Sequence, residues 1–181
     1  MDFGLRNIRL FLVSLLLLIP LNLYRIGKDL GAGIQWALFR VQVTDYGTMV
    51  FTIVRELNYV YSGTIAGKSA LSLTLWFLGA LSLLTIIALL LLKQDIGVTN
   101  FLVSILLYVS GLFFLASCIF QYGVTLAGPA GYCIPLGVLV IWVVGLLIHL
   151  GYFDEDEGEM ADDDEGEDED KDKDEDEDED D

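Results

Sequence analysis

The sequence predicts an all-α membrane protein, a four-transmembrane-helix bundle with a small extracytoplasmic β-hairpin in its first loop and a disordered acidic C-terminal tail. Three observations carry that expectation. The 181 residues are 54% hydrophobic yet bear a formal net charge of −17, so apolar and charged residues must occupy different segments. From Asp154 to Asp181 there are 28 residues, 22 of them Asp or Glu against two Lys, which leaves the tail at −20. The body before it carries +3 and is about 63% apolar, well above the ~45–50% of soluble domains. An ordinary soluble domain is excluded for residues 1–153.

A spanning helix needs about 20 mostly apolar residues to cross roughly 30 Å of hydrocarbon, because unpaired backbone groups find no water there. Four segments meet that length. The first, 8–26, is centred on Leu10 to Tyr24, which Arg9 and Arg25 bound with stems that snorkel, and contains Pro20 as a kink. Arg6 and Arg9 before an apolar run also resemble the start of a signal peptide, but bulky residues follow with no A-x-A-like site, which favours an uncleaved anchor. The second span, 70–92, is 23 residues without a charge, about 34 Å of helix. The third, 101–120, and the fourth, 134–153, follow, with Pro135 in the first turn of the last. Arg6, Arg9 and Lys93 beside short connections assign both termini to the cytoplasmic side of a cytoplasmic membrane. Lys28, Arg40, Arg55 and Lys68 in the 27–69 loop oppose that assignment, although a folded excursion of this length obeys the rule weakly.

The 27–69 loop is the one sizeable body segment outside the expected spans. Lys28 to Gly33 reads as a Gly-rich turn. Trp36 to Val43 puts Ala37, Phe39, Val41 and Val43 on one face at period two, and Thr48 to Tyr61 alternates again after the Asp45-Tyr46-Gly47 turn. That pattern predicts a hairpin; an interfacial helix over part of Gln35 to Leu57 is the alternative. The loop's aromatic residues Trp36, Phe39, Tyr46, Phe51, Tyr59 and Tyr61 are the candidate partner surface. Four spans with a β-rich first loop resemble the claudin-type tetraspan architecture in outline. Claudins carry a Trp and a Cys pair in that loop, whereas this loop has Trp36 and no Cys, so no residue role transfers.

Ser62-Gly63-Thr64-Ile65-Ala66-Gly67-Lys68-Ser69 is close to a phosphate loop, but lacks its first Gly and precedes a helix entering lipid, so it reads as a turn. Cys118 and Cys133 fall on one side of the expected topology, placed either to form a disulfide or to act as small buried hydrophobes. No metal-ligand spacing accompanies them. Small residues Ser72, Gly79, Ser104, Gly111, Gly137 and Gly145 read as close helix packing. Catalysis and proton transport leave ionisable groups inside the bilayer, and here the last two spans hold no Asp, Glu, Lys or Arg, and their one His, His149, sits near a helix end.

The functional expectation is a non-enzymatic structural or accessory subunit of a cell-envelope or virion-membrane complex, with no cofactor and no nucleic acid. Its partners are the bilayer, a membrane protein or a second copy, and cations or a basic partner at the tail. A small channel or transport-associated protein is the alternative, which a wet path lined by Ser72, Thr74, Ser82, Thr85, Ser104 and Ser117 would favour. The tail itself is expected to act as a solubilising charged brush, since like charges repel and almost nothing is available to bury. Removing residues 154–181 should therefore leave the body's unfolding midpoint in detergent unchanged while altering the salt dependence of its solubility, charge repulsion being screened over about 10 Å at 0.1 M. A chain that unfolds on truncation would mean that the tail carries specific structure.

Overall fold

Pro20 stops the first apolar helix short of a membrane crossing. In a computed structural model, which describes residues 5–27, 30–92 and 100–152, α1 (Leu5–Leu16) has 12 residues, about 18 Å of rise. Tight bonds from Leu17 N to Ser14 O and from Leu18 N to Leu15 O close it. Proline lacks an N–H and disfavours the helical conformation of the residue before it, so the chain leaves the helix and enters β1 (Asn22–Ile26). The expected span 8–26 is thus nine residues of helix and five of strand, joined by the irregular residues 17–21.

Five further strands and four further helices follow: β2 (Gly31–Gln35), β3 (Phe39–Thr44), β4 (Gly47–Thr52), α2 (Ile53–Tyr61), α3 (Gly67–Leu92), α4 (Asn100–Tyr122), β5 (Ala127–Gly128), β6 (Gly131–Ile134) and α5 (Leu136–His149). The strands form one antiparallel sheet in the order β4-β3-β2-β1-β6-β5. This corrects the expected all-α bundle: β3 and β4 do pair around Asp45 and Tyr46, but as the outer members of a six-stranded sheet rather than as a small lone hairpin. The Thr48–Tyr61 run is not one strand either. Thr52 caps α2 by accepting a bond from Arg55 N at 3.4 Å, and from Ile53 onward inward-facing residues recur at helical spacing, Ile53, Glu56 and Val60. Gly31 to Gly33, within the Lys28 to Gly33 segment expected as a turn, instead opens the strand β2.

Two helices, α3 and α4, are long and apolar enough to cross a membrane, at about 39 and 34 Å of rise. The fourth expected span, 134–153, is shortened from both ends, because Ile134 pairs with Leu23 in the sheet and α5 stops at His149 after 14 residues, about 21 Å. The four-span architecture is therefore overturned: among the described residues two helices meet the criterion, and a mixed α and β fold replaces the all-α one.

Trp76, Leu83, Ile86, Leu107, Phe114, Val138 and Ile141 form the main core where α3, α4 and α5 pack. Small residues set those distances. A side chain on Gly79 would meet the Phe114 ring at 2.8 Å, and one on Gly111 would strike the Trp142 indole. Ser72 and Ser117 donate to one another's carbonyls, both at 2.8 Å, and Ser110 donates to Gly79 O at 2.9 Å. Arg9 reaches Asn100 Oδ1 at 2.5 Å, and the His149 ring lies 6.3 Å from Phe101. The starts of α1 and α4 and the end of α5 therefore share one end of the helical layer, while the sheet joins the other. The acidic tail, Arg6 and the connection holding Lys93 lie outside the residues whose side chains are described.

Candidate functional site

The sheet is inverted relative to an ordinary amphipathic one, and the two candidate surfaces follow from that. Register puts Asn22, Tyr24, Gln35, Arg40, Gln42 and Cys133 on one face and Leu23, Ile34, Val41, Val43, Val50 and Ile134 on the other. The polar face is the covered one, turned to α2 and to the sheet ends of α3 and α4. On the apolar face, Val43 and Val50 are each 54% exposed.

Arg40 and Glu56 hold the polar side together. Glu56 comes from α2 and is 1% exposed, and its Oε1 accepts from Arg40 Nη2 at 2.6 Å and Nε at 2.9 Å. The Arg40 guanidinium also lies 5.2 Å from the Phe51 ring centroid, and Arg55 lies 5.3 Å from the same ring. A charged pair so placed stabilises only when both members are present, since either alone is a poorly solvated charge. Beside it a cavity of about 400 Å³ is lined by Gln35, Arg40, Ser69, Ser72, Ser117 and Gln121 among others. The lining offers donors and acceptors from the sheet, α3 and α4, which suits ordered water or a small polar ligand. The phosphate-loop-like stretch contributes Thr64, Ile65, Ala66 and Ser69 to its wall. Ser62 to Ala66 is the irregular connection before α3.

Tyr24 spans the inner face. Its ring occupies the space a side chain on Gly33 would fill, and its hydroxyl reaches Gln42 Oε1 at 3.5 Å. Burial pushes the Tyr24 phenol above its ordinary 10.0, with Arg40 opposing the rise and Glu56 adding to it. Cys133, opposite Tyr24 in the register, touches Cys118 of α4, Sγ to Sγ at 3.2 Å, with both residues buried. The two cysteines singled out from the sequence are thus brought together.

The six aromatic residues expected to form one partner surface are divided among several. Trp36 stacks on Phe39, 4.8 Å between centroids, at the edge of the apolar face. Its indole donates to Leu18 O at 3.1 Å, and its carbonyl accepts from the Trp76 indole at 3.0 Å. Phe51 points to the opposite face between its two arginines. Tyr46 at the β3–β4 turn and Tyr61 at the end of α2 are each 93% exposed, and Tyr59 accepts from Arg55 Nε at 2.8 Å. One surface is mostly aliphatic: Leu23, Ile34, Val41, Val43 and Ile134 with Trp36 and Tyr132 around a groove of about 750 Å³, with Arg25, which shares this face by register, also on its wall. Ile34 lay within the presumed hairpin loop, and Leu23 and Ile134 lay within presumed spans, so sequence periodicity gave no reason to group them.

Among the described residues, no group of three or more His, Cys, Asp or Glu is placed to hold a metal ion. No protein-family model matches the chain, and no match is found among curated proteins or solved structures.

Two outcomes test this geometry. Arg40→Ala strands the Glu56 carboxylate and should destabilise the protein by about 3–5 kcal/mol, whereas Arg40→Met with Glu56→Leu together should cost less than Arg40→Ala alone, read from denaturant midpoints in detergent. Because the folded state favours the neutral Tyr24 phenol, its contribution is present below about pH 10 and is lost as pH rises beyond it, where the unfolded chain releases the proton first. Tyr24→Phe should flatten that part of the alkaline loss of stability; an unchanged profile would mean that another group causes it.

Proposed function

We propose that this chain is a non-enzymatic integral membrane protein, a structural or accessory subunit of a cell-envelope or virion-membrane complex, whose sheet stands on the extracytoplasmic side and docks a membrane-embedded partner chain. The observation that carries the reading is the sheet's exposed apolar face. Solvent-facing sheets normally turn polar side chains outward, and a large contiguous apolar patch marks an interaction surface. Here the groove around Leu23, Ile34 and Ile134 runs on into exposed apolar residues of the adjoining helix ends, Leu18, Leu136 and Leu139. A partner that covers both must itself enter the membrane, which favours a second membrane protein over a soluble one.

The orientation is supported by Arg6 and Arg9 in α1 and by Lys93, the residue after α3 in the sequence and part of a short connection, where the retention of positive charge is strongest, against Lys28, Arg40, Arg55 and Lys68 of the longer 27–69 segment, which obeys the rule weakly. Five of the six hydroxyls expected along a conducting path are satisfied within the protein, and the sixth, Ser104, is buried with no hydrogen-bond partner among the described residues. Thr74, Ser82 and Thr85 donate to carbonyls four residues back in their own helix, and Ser72 and Ser117 satisfy each other.

Photo-crosslinking residues at Val43 and Tyr132 in native membranes should capture one discrete membrane protein. A control at Asn58, on the exposed side of α2, should not. Adducts with lipid alone, or none at all, would remove the docking role; capture of the chain by itself would make the partner a second copy.

A further inference from the structure

We infer that Cys118 and Cys133 are joined in the mature protein as a structural disulfide that ties the end of α4 to β6. The chain has two cysteines in 181 residues, and the fold brings them into contact from different elements as two buried thiols, Sγ to Sγ at 3.2 Å. A bond needs the sulfurs to close by only about 1.1 Å, to the usual ~2.05 Å, a movement within reach of small side-chain rotations. The surroundings fit a cross-link better than a reactive dithiol. Tyr24, Ile26, Tyr122 and Leu126 pack against the pair, and although Cys118 borders the polar cavity that Arg40 also lines, both residues are buried, whereas an active thiol is partly exposed. A metal has no third ligand among the described residues.

The step balances as a dithiol oxidation. Two S–H bonds break, one S–S bond forms, and the two hydrogens pass to the disulfide of a thiol-exchange oxidant, which becomes a dithiol. Both sulfurs are buried in the folded protein, so the exchange takes place during folding, before α4 and β6 close on each other. The product closes the segment 119–132, which contains the β5–β6 turn, and so restrains the edge of the sheet that borders α4. The inference that the oxidant is met outside the cell rests on the orientation proposed above, because disulfides persist on that side.

The test uses the full chain in native membranes, lysed directly into denaturant containing a small maleimide, then reduced and treated with a polymer-linked maleimide. Two polymer adducts that form only after reduction, on a chain two hydrogens lighter before it, are the expected result. Both thiols capped by the small maleimide without reductant would overturn the cross-link. Orientation is read separately, from an impermeant maleimide on Tyr46→Cys in a Cys118→Ala, Cys133→Ala background in intact cells. Labelled Tyr46→Cys with free native thiols sinks the disulfide and leaves the orientation; a disulfide with Tyr46→Cys protected until lysis does the reverse. Reductant should also lower the wild-type thermal midpoint by roughly 5–10 °C. It should leave that of Cys133→Ala unmoved.

Discussion

The backbone of Leu21 is fully buried, and both of its polar groups are taken by segments remote in sequence. Its N–H donates to Gln35 O at 2.7 Å, and its carbonyl accepts from Gly137 N at 2.9 Å. A chain that leaves a helix in apolar surroundings must find such partners at once, since a buried orphan N–H or C=O costs about as much as a lost hydrogen bond. Pro20 enforces the departure, and these two bonds make it affordable. They also place three elements. β2 is drawn alongside β1, β6 is fixed on the other flank, and α5 begins against the crossing, where a side chain on Gly137 would lie 2.7 Å from Leu21 Cα and Pro20 O. Shortened first and last helices and a sheet between them are therefore consequences of one junction.

From that junction the inversion of the sheet follows. The inner face is covered by helix ends whose last turns leave backbone carbonyls and amides to be satisfied, and by α2, which brings a carboxylate inward. Polar residues there have partners: Asn22 bonds Gln35 at 3.1 Å, and Arg40 bonds Glu56. Apolar residues on that side would leave the Glu56 carboxylate stranded in a covered space. The valines of these strands, with Ile34 and Ile134, consequently fall on the outer face, while Ile26 packs inside against the cysteines. Alternation then forces an exposed apolar patch, and only a covering partner or lipid relieves its contact with water.

How legible this was depended on length and on competition between periods. The α3 and α4 segments were legible because 20 or more mostly apolar residues without a charge have few alternatives to a long buried or spanning helix. The β3–β4 pair was legible because β-branched alternation flanks a turn. β1 was not: Leu23, Tyr24 and Ile26 continue an apolar run, and a short apolar run fits a helix or a buried strand equally well. β2 hid behind Gly31 and Gly33, of which the second is small because Tyr24 lies across it, a tertiary demand invisible locally. In α2, Leu57, Tyr59 and Tyr61 alternate by coincidence, while Thr52 followed by Arg55 and Glu56 held the capping signal. The Cys118–Cys133 contact was suggested by shared sidedness, whereas the pairing of Arg40 with Glu56 depended on the strand-to-helix switch at Ile53.

The remaining polar groups in the long helices indicate where function resides. In hydrocarbon a hydroxyl is tolerated when its donor is satisfied, and each route to satisfaction has a different consequence. Thr74, Ser82 and Thr85 bond within their own helix and so commit no neighbour, while Ser72, Ser110 and Ser117 bond across α3 and α4 and fix their register. With Gly79 and Gly111 receiving the rings of Phe114 and Trp142, those helices act as a rigid support, since sliding either one breaks hydrogen bonds and forces a ring into backbone at the same time. A support of that kind leaves the sheet end as the place for adaptable contact: the polar cavity opens there, the charged pair is held there, and the exposed apolar face begins there.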